Sequence, residues 1–387
     1  MGAFFAPSLS SNPLIDPHVI IGGEVSRASG LGEGARVMFQ ALQKHHISSS
    51  LLDISPYSLS LRHYQRAYRV LSTHRYAPLI LHINAPQIPF ALLSLPRSLL
   101  KKRKIIGYWA WELSVLPKDW EAGFRYVHEI WVPSLFVAEA VKPLATKYHK
   151  IVRIIPHPIA DRINYPVEHI TRAQLGLPKD KLVILVSFSL SSSFARKNPI
   201  ASILAFRKAC GNDPNICLIL KITYGDEYQE DLKLIKKAIQ GYDNIIINKN
   251  ILSPQENQAL IYHSDIVMSL HRSEGFGLVP AEAMLVGKAV IVTNWSATFE
   301  FIDQTCGMPV DYQLVPVKDS RQVYELKGAY WAEPDSDMAA QAIKKLIQNP
   351  YYRLALGRAA CQKTLQTFNS QSLLEGLSAI GVITDQG

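Results

Sequence analysis

The chain has 387 residues, of which 48% are hydrophobic and 19% charged, and carries a formal net charge of +9. Such a balance excludes a disordered chain, and the length suffices for two domains with a core each. The excess of Lys and Arg favours anionic partners, a class that includes nucleoside diphosphates, acidic lipid headgroups and nucleic acid.

No run of about 18 uncharged apolar residues occurs, so no membrane-spanning helix is expected. The N-terminus lacks a basic region followed by an apolar stretch and a small-residue cleavage site, which argues against a signal peptide. Met1-Gly2 hints at acylation, but Ala6 stands where Ser or Thr would be needed. The first dozen residues read as a loose polar lead. Cys210, Cys217, Cys306 and Cys361 share no metal-ligand spacing and read as reduced thiols of a cytoplasmic protein.

Short β-branched runs at 19–23, 79–83, 104–108, 129–132 and 151–155 alternate with helical periods such as 35–44 and 137–145. That alternation predicts βαβ units around a parallel sheet. A polar stretch from about Ala160 to Lys181, with Pro166 and Pro178, reads as a linker. A second series follows, with strands at 182–186, 217–220, 245–247, 266–268 and 289–292, and the tail from Asn349 is helical in pattern. The economical fold class is α/β, with two Rossmann-like doubly wound domains facing a central cleft. Ligands bind at the C-terminal edges of such strands. The expected domains are 1–165 and 166–365.

The segment 270–284, Leu-His-Arg-Ser-Glu-Gly-Phe-Gly-Leu-Val-Pro-Ala-Glu-Ala-Met, carries the most chemistry. A short strand before it, glycines at 275 and 277 and a helix opening around Pro280 make a cradle for a phosphate, because unpaired N–H groups and a partial positive charge gather there. Glu274 and Glu282 add two carboxylates able to accept sugar hydroxyls. The bland alternative is an ordinary strand–turn–helix corner with acids that suit the helix dipole.

The complete string resembles the Glu-x7-Glu motif of retaining GT-B glycosyltransferases, family four of that classification. The resemblance implies that Glu274 and the amides of Gly275, Phe276, Gly277 and Leu278 contact a donor sugar, while Glu282 holds the ribose. It extends to Ser29-Gly30-Leu31-Gly32-Glu33, to the Trp-Glu of Gly107-Tyr108-Trp109-Ala110-Trp111-Glu112, to Glu129-Ile130-Trp131-Val132-Pro133-Ser134, to Arg196-Lys197-Asn198-Pro199 and to Tyr330-Trp331-Ala332-Glu333-Pro334-Asp335. It also implies that a last helix, 366–387, crosses back to the N-terminal domain.

Arg196 and Lys197 follow a strand and suit a diphosphate leaving group, although a solvated basic turn is the alternative. Relatives often separate the two cations, so Lys197 is the safer assignment. Gly30 and Gly32 resemble the family's glycine loop, near the donor phosphates or the acceptor. A dinucleotide fingerprint is disfavoured there, since Asp53, the nearest candidate acid, reads as the start of a turn. Trp111 and Glu112 either meet an acceptor or are core aromatics with a capping acid. His82 and His157 read as structural. Asp335-Ser336-Asp337 matches an Asp-x-Asp metal pattern, but a helix follows directly and an N-cap explains it, so no metal site is expected. The basic segment 97–104, with its leucines, suits either an anionic membrane face or a solvated turn.

These expectations amount to a metal-independent retaining transferase with no cofactor, moving a hexose, mannose included, from a nucleotide-diphosphate sugar to a glycan or lipid-linked acceptor. The family-level setting is bacterial surface polysaccharide or lipopolysaccharide synthesis, in the cytoplasm or at the inner face of the membrane. The alternatives are a GT-B phosphorylase, a nucleotide-sugar epimerase, or a non-catalytic protein that binds nucleic acid or a membrane surface through its charge. Nucleic acid is disfavoured, because the Arg and Lys residues are not interleaved with aromatics.

Overall fold

The computed structural model describes residues 9–55, 61–163 and 167–383, the side chains of 61–63 excepted. The chain forms two compact units. The first runs to Ile163 and takes in the chain again from Phe368, and the second ends at Thr367.

The first unit holds β1 (Val19–Gly23), α1 (Gly30–Lys44), β2 (Ser49–Asp53), α2 (Leu61–Thr73), β3 (Leu79–His82), α3 (Ile88–Leu93), α4 (Arg97–Leu100), β4 (Ile105–Tyr108), β5 (Glu129–Val132), α5 (Leu135–Lys147) and β6 (Ile151–Ile154). Its six strands lie in the order β2-β1-β3-β4-β5-β6, all parallel. β1, β3, β4 and β5 are buried along their whole length, as apolar strands covered on both faces must be.

The second unit contains β7 (Leu182–Ser189), α6 (Phe194–Lys197), α7 (Pro199–Cys210), β8 (Ile216–Thr223), α8 (Gln229–Ile239), β9 (Ile245–Asn248), α9 (Pro254–Tyr262), β10 (Ile266–Ser269), α10 (Leu278–Leu285) and β11 (Ala289–Thr293). β12 (Met308–Val310), β13 (Tyr312–Pro316), β14 (Tyr330–Pro334), α11 (Ser336–Gln348) and α12 (Pro350–Thr367) complete it. The parallel sheet runs β12-β11-β10-β7-β8-β9, while β13 and β14 pair as an antiparallel hairpin. Counted within the unit, this is the 3-2-1-4-5-6 Rossmann order, and chain direction across the sheet reverses between β7 and β10. Ligands of such sheets bind outside the strand ends at that reversal. The last helix, α13 (Gln371–Ala379), packs Leu373 and Leu377 into the first unit's core with Val19, Ile21 and Met38.

The strands expected from pattern all form; β2, β12 and the β13–β14 hairpin were not among them, and several boundaries moved. Helix α1 starts at Gly30 rather than Ala35, because Ser29 caps it and accepts from the Gly32 amide at 3.1 Å. Gly30 and Gly32 therefore form the first helical turn, not a loop ahead of it. The region 160–181 is less of a free linker than its polarity suggests, since Arg172 donates to Lys181 O and to Asp265. Asp53 ends β2 and accepts from Ser55 Oγ at 2.9 Å, a local turn bond. Asp335 caps α11 by accepting from the amides of Asp337 and Met338.

The basic segment 97–104 departs further from a membrane-facing helix. Leu92, Leu95, Leu99 and Leu100 are buried in the unit itself. Arg103 is buried too and donates to the carbonyls of Leu99, Ala77, Leu71 and His74, while Lys104 pairs with Glu129 at 3.2 Å. The apolar face thus covers the unit's own core, leaving Arg97, Ser98, Lys101 and Lys102 exposed.

Gly32 gives the sharpest test of this packing. A Cβ there would lie 2.5 Å from Glu24 O and 3.0 Å from Arg27 O, backbone atoms that cannot swing aside. Alanine ordinarily stabilises a helix over glycine by about 1 kcal/mol. Gly32→Ala is expected to do the reverse, lowering stability by about 1–3 kcal/mol in urea unfolding. A rise in the unfolding midpoint would show that the Glu24–Arg27 turn does not press on α1.

Candidate functional site

Two strand ends flank the reversal point of the second sheet, and each feeds a short polar segment. After β7, a single helical turn at Leu190–Ser192 leads into α6, which Ser193 opens by accepting from the Arg196 amide at 3.2 Å. Ser193 has φ +89°, a costly conformation for a non-glycine residue. Asn198 follows with φ +47° and Pro199 starts α7, so α6 stops after one turn. Arg196 and Lys197 sit on this brief helix because both ends are pinned.

After β10, the chain passes through Leu270 and His271, both fully buried. Thr298 Oγ1 donates to the carbonyl of Thr293 or Trp295 and so accepts from His271 Nε2 at 3.1 Å. The Nδ1 atom of His271 is then the acceptor for Ser269 Oγ at 3.0 Å. Burial leads the forces that hold His271 down at about 4; Glu274 pulls it up, while Lys197 and Arg196 push it lower. The ring is neutral at pH 7 and acts as a brace.

Glu274 comes three residues later. Its amide donates to Ser296 Oγ at 2.8 Å and its carbonyl accepts from the Ala297 amide at 3.2 Å. With the backbone fixed, the carboxylate, in a residue only 8% exposed, lies between two cations. Arg196 approaches to 3.2 Å and Lys197 donates directly to it. Arg196 also donates to Ser273 O at 2.9 Å. Arg272 adds a second tie, with its amide on Arg196 O at 2.8 Å and its side chain on Glu333 at 2.6 Å.

The electrostatics follow from this geometry. Burial alone would raise the Glu274 carboxyl, but the charges of Lys197 and Arg196 outweigh it and bring the group to about 2. The carboxylate is ionised throughout the neutral range. Its stabilising effect is complete above the unperturbed value of 4.5 and is lost as pH falls toward 2.

Gly277 then opens α10 with φ +96°, and a Cβ on it would lie 2.6 Å from Thr298 Cγ2. Only glycine fits there without strain. The helix has no side-chain cap and no acid in its first turn, so that turn does not offset the positive end of its dipole. Phe276 stacks on Phe301 with ring centroids 5.9 Å apart, and Glu282 is buried within α10.

Arg196, Lys197, Glu274, Gly275, Phe276, Gly277, Leu278 and Glu282 therefore all lie in the second unit, on the segments that follow β7 and β10. Gly30, Gly32, Trp111 and Glu112 lie in the first. Trp111 is a packed indole rather than an open stacking platform: it is 5% exposed, lies against Trp120, and donates to Val115 O at 2.8 Å. Trp109 is wholly buried against Phe124. His157 contacts the Tyr108 hydroxyl at 3.2 Å, and His82 stacks on the same tyrosine, so both are core histidines.

Sequence reasoning missed Ser296, Thr298, Asp319 and Tyr324, and quoted Glu333 only within a resembling string, with no role. The first two follow β11 and the others lie on or beside the β13–β14 hairpin, so each meets the site only through tertiary pairing. His271 was visible in the motif string, but its partner Thr298 is 27 residues away.

Residues 167–310 match the family described as "Glycosyl transferases group 1". Among curated proteins, the human alpha-1,3/1,6-mannosyltransferase ALG2 is 23% identical over 152 residues. That alignment covers 39% of this chain and 31% of ALG2, so the chain spans about a third of the relative it matches. Among solved structures, Anabaena Alr3699/HepE in complex with UDP and glucose superposes with a TM-score of 0.62 at 14% identity, over 94% of this chain and 99% of that one. Sucrose-phosphate synthase from Thermosynechococcus elongatus gives 0.63 at 16% identity, over 94% and 98%. WaaG, a glycosyltransferase of lipopolysaccharide biosynthesis, gives 0.58 at 13% identity, over 94% and 100%. The two Rossmann-like units are thus those of the GT-B fold.

The buried ion cluster should behave as one unit. Glu274→Gln leaves two cations facing a neutral amide and is expected to cost about 1–3 kcal/mol of stability. Adding Lys197→Gln should recover part of that loss, giving a favourable coupling in a double-mutant cycle. Strictly additive losses would mean that the pair contributes nothing in solution.

Proposed function

We propose that this protein is a glycosyltransferase that moves a hexose from a nucleotide-diphosphate sugar to a glycan or lipid-linked acceptor with retention of configuration. One observation carries the reading. A buried, ionised Glu274 is held between Arg196 and Lys197 beside the uncapped start of α10, at the reversal point of a Rossmann-ordered sheet. The match of this unit to the group 1 glycosyl transferases and the UDP complexes of HepE support it.

In this reading the donor diphosphate lies against Arg196 and Lys197, which neutralise the charge that grows as the glycosidic bond breaks. Glu274 and the amides from Gly275 to Leu278 accept and donate hydrogen bonds to the sugar, and Glu282 holds the ribose. The acceptor oxygen bonds to the anomeric carbon on the face the diphosphate leaves, and the acceptor proton passes to a phosphate oxygen. No protein nucleophile takes part. Catalysis is positioning and electrostatics, worth orders of magnitude when the reacting groups are aligned. A mannose or glucose donor is supported by the names of ALG2 and of the HepE complex with UDP-glucose, and an acceptor in surface-glycan synthesis by that of WaaG.

Thermal-shift screening against GDP-mannose, UDP-glucose and UDP-galactose should find a donor that raises the melting temperature. With that donor, Glu274→Gln should lower transfer by about 100-fold or more while keeping a cooperative melt. Glutamine is the right replacement, because alanine would strand two cations in a cavity. Full turnover by the Gln variant would defeat the assignment.

A further inference from the structure

The stretch from Val317 to Ala329, between β13 and β14, grips the turn that carries the two cations at three successive points. Arg321 donates to Leu190 O at the start of that turn. Asp319 accepts from Ser193 Oγ at 3.4 Å in its middle. Tyr324 lies under the Arg196 guanidinium, 5.5 Å from ring centroid to carbon, near its end. The stretch is itself braced. Asp319 is buried and also accepts from the amides of Arg321, Val323 and Tyr324 at 3.0–3.4 Å. Arg321 pairs with Asp231 of α8 and stacks 3.8 Å above the Tyr228 ring. Val317 and Ala329 close the loop at its base with a 3.1 Å backbone bond.

The turn requires such support. Ser193 holds φ +89°, and the hydroxyl that caps α6 for Arg196 is the one that reaches Asp319. A non-glycine residue keeps such a backbone only where its surroundings over-determine it. Tyr324 in turn presents an aromatic face to a buried guanidinium, which fixes the plane of Arg196 and offsets part of its desolvation.

We infer that residues 317–329 are a strap that positions Arg196 for the donor diphosphate, with Asp319 and Tyr324 as its positioning residues. The inference rests on the donor-binding reading of Arg196, Lys197 and Glu274. Asp319 and Tyr324 touch no substrate in this account. They act by holding the turn and the guanidinium plane.

The experiment measures two properties of the full chain: binding of UDP and of GDP by titration calorimetry, and the rate at which phenylglyoxal modifies Arg196, read by peptide mass spectrometry. Tyr324→Leu removes the aromatic face and is expected to weaken nucleotide binding about fivefold and to speed modification of Arg196. Tyr324→Phe keeps the face and should restore both properties, which a merely space-filling role would not require of an aromatic over leucine. Asp319→Asn should shift both in the same direction as Tyr324→Leu and decides the matter if that variant does not fold. Wild-type binding and equal Arg196 protection in Tyr324→Leu and Asp319→Asn would overturn the strap. Should the wild-type chain bind neither nucleotide, the donor reading fails instead. Arg196 protection alone then judges the strap: faster modification in the variants sustains it, and equal rates refute it.

Discussion

A carboxylate buried between two cations is the constraint on which the rest of the candidate site depends. Glu274 would titrate upward in its surroundings were Arg196 and Lys197 not beside it, and with them it stays charged. Those cations, in turn, could not remain buried or half-buried on a one-turn helix without an anion to face. The three groups are therefore mutually obligatory while no ligand is bound. A ligand bringing its own negative charge changes that balance. In the proposed reading, a diphosphate offered to Arg196 and Lys197 competes with Glu274 and frees its oxygens for hydroxyl donors, so that the resting ion cluster is a donor site already assembled.

Topology explains why the cluster forms where it does. In the second unit the strand order reverses between β7 and β10, so the chain segments leaving these neighbours diverge to opposite faces of the sheet. The α6 turn with its cations follows one strand, and the Glu274 segment with the start of α10 follows the other. Backbone bonds then tie the two together, as where the Arg272 amide meets Arg196 O. Neutral His271, wedged between Ser269 and Thr298, ties the start of the Glu274 segment to the turn after β11. The positive φ of Gly277 turns the chain sharply into α10 three residues after Glu274.

Much of this was legible in the sequence. The alternation of apolar strands and helical periods carried the α/β class. The strand-end placement of 196–197 and of 274 was legible as well, but their direct ion pair was no part of that expectation. The features that escaped share one physical reason. Asp319, Tyr324, Ser296 and Thr298 act through contacts made across long sequence separations, and no local period marks them. Trp111 shows the reverse, since a Trp at a strand end looks like a sugar platform until Trp120 packs against it. The leucines and arginine of 97–104 mislead in the same way. An amphipathic pattern states that one face is buried but not what buries it, and here that is the unit's own core.

The central claim is that the charge on Arg196 and Lys197 is shared between Glu274 and a diphosphate. Its most direct test is the titration of the Glu274 carboxyl carbon by NMR, without nucleotide and with saturating UDP or GDP, whichever binds. The account predicts a carboxyl near 2 in the free protein that moves upward once the diphosphate occupies the two cations. A nucleotide that binds while leaving the Glu274 titration where it was would contradict it.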